Sequence, residues 1–256
     1  QISGEKMKVE KGVILTAGEG KRMYPLTVTT PKALLPIGMK TAVQLVAEEM
    51  IDAGVREIAV VVATASPVRR FMEFLTDNKR LKNVQITFIE QEKPLGSGHA
   101  LSVAKAFCGK ENFFLANCDD LFENNACKIL AETGGNCVGL VRVPKKDCGK
   151  YGIAALNDGL LKAVTEKPDD CRDGRPLAVA GRYLFDRRIF DCLTKTGFVG
   201  GELRLTDAVN LLCTMSRVNG VEIKGRRFDV GCAEGYKKAF ICMVRDKKVD
   251  RKERMY

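Results

Sequence analysis

The chain contains 256 residues, 45% of them hydrophobic, and carries a formal net charge of +10 with ten cysteines and one histidine. This composition fits one sizeable α/β domain and argues against intrinsic disorder. No apolar run reaches the length of a membrane span, and the N-terminal segment QISGEKMKVEK lacks the apolar centre of a signal peptide. We therefore expect a cytoplasmic protein that makes no membrane contact.

Strands and helices alternate in the sequence pattern of the first half. The pattern predicts strands over 13–15, 58–63, 84–89 and 113–116, and helices over 41–53, 66–75 and 97–107. Repeated strand–helix units of this length indicate an α/β fold with a mostly parallel central sheet flanked by helices. Ligands bind such sheets at the carboxyl ends of the strands.

The second half has a less regular pattern. It predicts strands over 137–143, 151–156, 160–165 and 178–185, and helices over 206–215 and from Ala233 onward. Closely spaced strands suggest partly antiparallel additions that form one wall of a pocket. No repeat or low-complexity linker divides the chain, so we predict one domain over 7–245 with two lobes, 7–135 and 136–232. A basic tail follows over 246–256.

The cysteines and the charge each have an ordinary explanation. The cysteines are scattered through apolar segments without a C-x-x-C pair, which predicts buried reduced thiols rather than disulfides or a zinc cluster. Much of the positive charge lies in the last twenty residues, and this strip lacks the interleaved aromatics of a nucleic-acid site. We predict no nucleic-acid partner.

Residues 12–37, GVILTAGEGKRMYPLTVTTPKALLPI, carry the most informative motif. A short apolar strand leads into a glycine-rich turn, where Gly18 and Gly20 allow a tight bend and offer bare N–H groups to an anion. Lys21, Arg22 and Lys32 supply positive charge beside this turn. The arrangement is typical of a nucleoside triphosphate site.

Two better-known phosphate loops do not match this spacing. A Walker A loop needs a glycine where Leu15 stands and a serine or threonine where Arg22 stands. The dinucleotide fingerprint needs a third glycine, and Met23 occupies that place. The remaining pattern is G-x-G-x-R-M-x-P-x-T followed by P-K, in which the arginine can fork onto phosphate oxygens.

With these motifs the chain resembles the sugar-1-phosphate nucleotidyltransferases, most closely the bacterial-type UTP–glucose-1-phosphate uridylyltransferases. The resemblance runs from Lys11 to about Val244, in the segments AGEGKRMYPLT with PKALLPI, QEKPLGSGHAL, the region of Asp119, TEKP with GGELRLTDAV, and FDVGCAEGY. It implies a Rossmann-like, GT-A-like nucleotide-diphospho-sugar transferase fold. The lobe 7–135 would then bind the nucleotide and the lobe 136–232 the sugar.

The resemblance also implies the reaction. A nucleotidyl group would pass from a nucleoside triphosphate, with UTP as first choice, to a sugar 1-phosphate, with glucose 1-phosphate as first choice, releasing pyrophosphate in an Mg²⁺-dependent step. Because the attacking phosphate is already an anion, no general base is needed, which fits a chain with one histidine. Open alternatives are other substrate pairs, such as dTTP or CTP with another sugar or polyol phosphate, and a non-catalytic regulatory protein. The family also implies a homo-oligomer.

The same resemblance assigns the reacting residues. Arg22 would bind the β- and γ-phosphates, and Lys32 would bridge the α-phosphate and the sugar phosphate. Asp119 and Asp229 would bind the metal, with Asp120 as the rival to Asp119. The predicted nucleotide-binding residues are Ala17, Gly18, Glu19, Gly20, Lys21, Gln91 and Gly96.

Gln91 can donate and accept at once, as the imide edge of a pyrimidine requires. Lys21 either contacts a phosphate or points to solvent. His99 is expected to be a packing residue, and Thr206 is expected to cap a helix. The predicted sugar-phosphate-binding residues are Gly152, Glu166, Lys167, Gly181 and Glu202.

Overall fold

The computed structural model describes residues 7–76, 81, 83–171 and 173–246, and the side chains to residue 244. Its strands are Lys11–Leu15 (β1), Pro36–Ile37 (β2), Lys40–Thr41 (β3), Glu57–Ala63 (β4), Gln85–Gln91 (β5), Phe113–Asn117 (β6), Asp120–Phe122 (β7), Asn136–Arg142 (β8), Gly152–Asn157 (β9), Leu160–Glu166 (β10), Leu177–Phe185 (β11), Val218–Glu222 (β12) and Arg227–Asp229 (β13). The predicted tail from residue 247 lies outside the described residues.

Eight α-helices lie in the described part of the chain, and side chains cap the starts of α1 and α5. They are Ala42–Asp52 (α1), Val68–Thr76 (α2), Ser97–Ser102 (α3), Lys105–Cys108 (α4), Ala126–Thr133 (α5), Arg188–Lys195 (α6), Leu205–Met215 (α7) and Ala233–Asp246 (α8). The Thr41 hydroxyl accepts from the Gln44 N–H at the start of α1. Among the described residues, no helix is both long and apolar enough to traverse a lipid bilayer.

The predicted helix over 97–107 is broken into α3 and α4. The hydroxyl of Ser102 donates to the His99 carbonyl at 2.8 Å, and Ala104 N–H donates back only three residues, to Leu101. A side chain that takes a helical carbonyl competes with the regular backbone ladder. A turn therefore interrupts the helix between Ser102 and Lys105, although the apolar spacing of the sequence continues across it.

The central sheet of the described residues has the strand order β5-β4-β1-β6-β11-β8-β12-β10-β9. Strands β5, β4, β1 and β6 are parallel, whereas β11 runs antiparallel to both β6 and β8. The predicted α/β fold, with a mixed sheet between helices, is confirmed. The parallel half matches the regular pattern of the first lobe, and the antiparallel strands match the irregular second half.

Hydrophobic residues cover both faces of the sheet because successive side chains of a strand point to opposite sides. On one face Ile14 and Val60 pack against α1, which contributes Val46. On the other face Val13 packs with residues of α6 and α7, including Leu212. The ten cysteines are free and seven of them are buried, as predicted.

Two irregular features bring later segments of the chain to the carboxyl edge of the parallel strands. Strand β13 pairs with β7 so that Asp229 lies opposite Asp120. The register of β11 shifts between Val179 and Tyr183, and Gly181 there has φ of +58°. Glycine accepts this left-handed backbone without strain. These two features place Asp229 and Gly181 beside Asp120.

Candidate active site

Two cations lie against two carboxylates at the carboxyl edge of the sheet. Lys32 Nζ donates to Asp119 Oδ2 at 2.6 Å. Arg22 reaches both carboxylates, since Nη2 lies 3.7 Å from Asp119 Oδ2 and Nη1 lies 3.5 Å from Asp229 Oδ2. The Arg22 side chain is 55% exposed, whereas the other three side chains are at most 18% exposed. The structure thus brings the four residues predicted to react into one group.

The two predicted metal ligands converge beside Gly231. A Cβ at this position would lie 2.6 Å from Asp119 Oδ2 and 3.0 Å from Asp229 Oδ1. The described residues contain no group of three or more His, Cys, Asp or Glu side chains suited to a metal. Two carboxylates at an open edge nevertheless fit Mg²⁺, which takes few protein ligands and completes its shell with phosphates and water.

Asp120 is engaged elsewhere. Arg227 Nε donates to Asp120 Oδ1 at 2.6 Å, and burial raises the pKa of Asp120 to about 6 against the opposing charge of Arg227. Burial opposes ionisation of Asp119 too, but the charges of Lys32 and Arg22 prevail and lower its pKa. Of the two neighbours, Asp119 is therefore the carboxylate suited to a metal.

Tyr151 is a site residue that the sequence did not reveal. Its hydroxyl donates to Asp229 Oδ2 at 3.1 Å, and the Arg227 guanidinium lies 4.6 Å from the centre of its ring. Burial raises the pKa of the phenol, which keeps it protonated as a donor. The sequence offered only one hint of this role, which is proximity to predicted site residues: Tyr151 precedes Gly152, and Arg227 stands two residues before Asp229.

A cavity of about 470 Å³ adjoins the carboxylates. Four of the five predicted sugar-phosphate residues line it, namely Gly152, Glu166, Lys167 and Gly181. A Cβ at residue 152 would lie 2.8 Å from Val164 Cγ1 and 3.3 Å from Glu166 Oε2. The glycine therefore keeps this wall open.

Thr206 belongs to the same cavity and does not cap a helix. Helix α7 begins one residue earlier, at Leu205, whose N–H points to Ser97 Oγ at 3.4 Å. The Thr206 hydroxyl donates instead to Glu166 Oε2 at 2.7 Å. The predicted cap is wrong because a serine from α3, distant in sequence, lies beside that helix end.

The glycine loop continues from β1 toward Lys32. Ala17 is buried, whereas Gly18 is exposed, and a Cβ at Gly18 would lie 4.0 Å from Lys32 Nζ. Gly20 has φ of +70°, a backbone conformation that favours glycine. The turn therefore presents open backbone beside a charged lysine, as an anion-binding loop requires.

Lys21 points away from the cavity lining. Its Nζ lies 2.5 Å from Glu19 Oε2, and its side chain is 71% exposed. Exposed pairs of this kind contribute little to stability. Of the two alternatives for Lys21, the geometry favours the one in which it points to solvent.

Gln91 lies at the end of β5, and neighbouring groups of the protein form hydrogen bonds with its side-chain amide. Its Nε2 donates to the Gly96 carbonyl at 3.1 Å and lies 3.0 Å from His99 Nδ1. Gly96, at φ of +96°, packs so closely that a Cβ would lie 2.7 Å from the Leu203 carbonyl. His99 thus orients Gln91 as well as packing. Glu202 is exposed and does not line the cavity described above.

A mixed α/β sheet with a glycine turn, two cations and paired carboxylates at its carboxyl edge is the arrangement expected of an enzyme that acts on the phosphates of nucleotides. The chain belongs to the nucleotidyl transferase family, whose model matches residues 11–243. The family predicted from the sequence is therefore confirmed.

Two curated relatives lie near the chain in sequence. It is 34% identical over 271 residues to a UTP–glucose-1-phosphate uridylyltransferase of Streptococcus pyogenes, covering 91% of this chain and 88% of the relative. It is 31% identical over 264 residues to the enzyme of that name in Staphylococcus epidermidis, with 91% and 92% covered.

Solved structures give the same picture. A UDP-glucose pyrophosphorylase complexed with UDP-glucose superposes with a TM-score of 0.83 at 27% identity, covering 93% of this chain and 99% of that one. A UTP-bound enzyme from Acinetobacter baumannii shares the fold, with a TM-score of 0.79 at 22% identity, covering 96% and 100%.

Proposed function

We propose that this protein transfers a uridylyl group from UTP to glucose 1-phosphate, forming UDP-glucose and pyrophosphate. The observation that carries the proposal is the meeting of Arg22, Lys32, Asp119 and Asp229 beside a cavity of about 470 Å³. The choice of substrates is supported by relatives at 31 to 34% identity that carry the uridylyltransferase name.

In this reaction a phosphate oxygen of the sugar phosphate attacks the α-phosphorus of the triphosphate. One P–O bond forms while the bond from the α-phosphorus to the departing pyrophosphate breaks. Because the nucleophile is already an anion, the protein must orient two polyanions and offset their charge rather than remove a proton. The site accordingly presents cations at its mouth and no histidine within the cavity lining.

Lys32 and Arg22 supply this positive charge. Burial lowers the pKa of Lys32, but the Asp119 carboxylate outweighs burial and raises it overall, so the ammonium group stays charged. Arg22 is half-exposed, and its contacts with the carboxylates are long enough for phosphates to replace them. Arg22 would face the leaving pyrophosphate, and Lys32 the reacting phosphates.

Asp119 and Asp229 would hold Mg²⁺, which neutralises phosphate charge when it is bound. The Tyr151 hydroxyl donates to Asp229, and Lys32 donates to Asp119. The protein thus fixes both carboxylates before any substrate arrives. Such preorganisation lowers the cost of reorganising polar groups during the reaction.

The second lobe would bind the sugar. Glu166 can accept hydrogen bonds from adjacent hydroxyls, and its donor Thr206 fixes one of its two oxygens. Lys167 would hold the sugar phosphate, and Gly152 and Gly181 permit close approach to the ring. For the base, the amide of Gln91 is already oriented by Gly96, which leaves its carbonyl to accept from an imide N–H.

The proposal extends to the arrangement of the chain. The lobes 7–135 and 136–232 would bind nucleotide and sugar respectively within one domain. Homo-oligomer formation and a cytoplasmic location also remain predictions.

A pyrophosphate-release assay across UTP, dTTP and CTP, each with several sugar 1-phosphates, tests the substrate pair. We expect the highest kcat/KM with UTP and glucose 1-phosphate. A clear preference for CTP would defeat the uridylyl assignment and favour the alternative substrate pair.

The Asp119→Asn variant tests whether the protein is an enzyme that works through this carboxylate. We expect Mg²⁺-dependent turnover to fall by about 10²- to 10³-fold, the usual cost of losing an electrostatic group in a reaction site. Asp186→Asn is the matched control, because Asp186 follows β11 at the opposite edge of the sheet. A parent protein that binds UTP without turnover would instead support the regulatory alternative.

A further inference from the structure

A buried ion pair lies beneath the strand end that carries Asp119. Arg182 of β11 is fully buried, and the Glu49 side chain of α1 is 12% exposed. Arg182 Nη2 donates to Glu49 Oε2 at 2.8 Å, and Nε lies 3.2 Å from both carboxylate oxygens. This bidentate contact fixes the plane of the guanidinium.

The remaining donors of Arg182 reach backbone carbonyls. Nη1 donates to Asn117 O at 3.0 Å and to Gly181 O at 3.2 Å, while Nη2 also donates to Asp120 O at 2.7 Å. Asn117 and Asp120 stand on either side of the Cys118–Asp119 step. One side chain therefore holds the backbone both before and after the metal-ligand candidate.

Glu49 is itself anchored to a second helix. Its Oε1 accepts from Cys127 N–H at 3.2 Å, and its carbonyl accepts from Asn125 Nδ2 at 2.8 Å. From the opposite side, Val230 N–H donates to Asp119 O at 2.8 Å, which ties this step to the segment after Asp229. The position of Asp119 is thus set by two helices and two strands.

A buried ion pair is weak evidence for stability, because well-packed apolar residues often replace one without loss. Here the geometry requires more than charge, since only a planar fork can meet a carboxylate and several carbonyls at once. We propose that Arg182, held by Glu49, is a positioning residue that fixes the separation of the Asp119 and Asp229 carboxylates. The proposal rests on one part of the function proposed above, namely that these carboxylates bind a divalent cation.

Arg182→Lys is the decisive variant, because lysine keeps the charge but cannot reach Glu49 and the carbonyls of Asn117 and Asp120 together. Mn²⁺ binding to the nucleotide-free protein, followed by water-proton relaxation, is the primary measurement. We expect binding about 10- to 100-fold weaker, as when an outer partner of a metal ligand is lost. The Mg²⁺ concentration for half-maximal turnover should rise in the same proportion, with KM for glucose 1-phosphate changed less than twofold.

Lys11→Met controls for a general loss of stability. Lys11 pairs with Glu111 and with the Phe107 carbonyl at the opposite end of β1, so its removal should lower the thermal midpoint but leave Mn²⁺ affinity within twofold. Glu49→Gln is the milder second variant if Arg182→Lys does not fold. Because glutamine keeps a hydrogen-bonding partner for the guanidinium, we expect a smaller loss than in Arg182→Lys. Mn²⁺ binding should weaken about threefold to tenfold, at or below the lower end of the range for losing an outer partner of a metal ligand.

Mn²⁺ affinity within twofold of the parent in the folded variant would overturn the positioning role. Failure of the parent to bind Mn²⁺ would overturn both this proposal and the metal site. A parent that binds Mn²⁺ but releases no pyrophosphate from UTP would defeat the proposed function alone, and weaker binding in Arg182→Lys would still support the positioning role.

Discussion

Two groups of ion pairs meet at the strand end that carries Asp119, and they differ in how closely their arginines hold the carboxylates. The open cluster consists of Arg22, Lys32, Asp119 and Asp229, and it contains the half-exposed Arg22. The buried cluster consists of Glu49, Asp120, Arg182 and Arg227, whose side chains are at most 12% exposed, although Asp120 and Arg227 also line the cavity. Arg22 approaches its carboxylates only to 3.5 and 3.7 Å, whereas Arg182 approaches Glu49 to 2.8 Å.

The difference separates contacts that a ligand can replace from contacts that must persist. Phosphates can displace long, hydrated pairs at little cost, whereas breaking a buried pair leaves a charge without water or partner. The Arg22 contacts of the open cluster are therefore suited to exchange for polyanions, and Arg182 of the buried cluster is suited to holding the backbone that carries Asp119. The variants below should affect activity or stability according to the cluster they change.

The largest expected effect is the loss of stability in Arg227→Met. Arg227 and Asp120 have side chains 11% and 8% exposed, so the change leaves Asp120 buried without its ion-pair partner. We expect the free energy of unfolding to fall by about 3–5 kcal/mol. Urea unfolding followed by circular dichroism measures the change.

Arg226→Met is the matched control for that variant. The Arg226 side chain is 56% exposed and pairs with Glu123 at the surface, so its removal should cost about 1 kcal/mol or less. Equal losses in the two variants would contradict the distinction between the clusters.

The next largest effect is expected on turnover in Arg22→Ala. We expect kcat to fall by about 10²- to 10³-fold because charge on the departing pyrophosphate loses its partner. The thermal midpoint should stay near that of the parent, since the side chain is half-exposed. A normal kcat with UTP would remove Arg22 from the reacting group.

A smaller loss of turnover is expected for Gly231→Ala. The new Cβ would lie 2.6 Å from Asp119 Oδ2 and 2.8 Å from Arg22 Nη2, so the carboxylates must separate. We expect about a tenfold to hundredfold higher Mg²⁺ requirement for half-maximal turnover, as for other disturbances around a metal ligand. Gly197→Ala is the matched control, because that glycine likewise lacks a positive φ but has open space around it. An unchanged Mg²⁺ requirement in Gly231→Ala would show that the two carboxylates do not share an ion.

The smallest effect is expected for Lys21→Ala, beside Arg22 in the same loop. Because Lys21 pairs with Glu19 in solvent, kcat/KM for UTP should change less than about twofold, and stability by less than about 0.5 kcal/mol. A tenfold rise in KM for UTP would instead favour the alternative in which Lys21 contacts a phosphate.

The sequence was most informative where neighbouring residues determine local structure. The strand, glycine turn and basic residues of 12–37 indicate an anion-binding loop, because backbone freedom and charge are properties of adjacent residues. The alternating pattern up to Asn117 predicts the parallel sheet, and with it the edge where Asp119 lies. The family resemblance added Asp229 and Glu166, which no local spacing connects to the loop.

Only the tertiary structure decided which distant groups meet. Thr206 has the pattern of a helix cap, yet it donates to Glu166 because Ser97 takes the end of α7. The roles of Tyr151 and Arg182 depend on residues 62 to 133 positions away, which no local spacing connects to them. Hydrogen bonds and ion pairs depend on distances in space, whereas periodicity and turn chemistry depend on distance along the chain. The sequence alone therefore determined the fold class and predicted the phosphate loop, and packing between distant parts of the chain determined how the carboxylates are held.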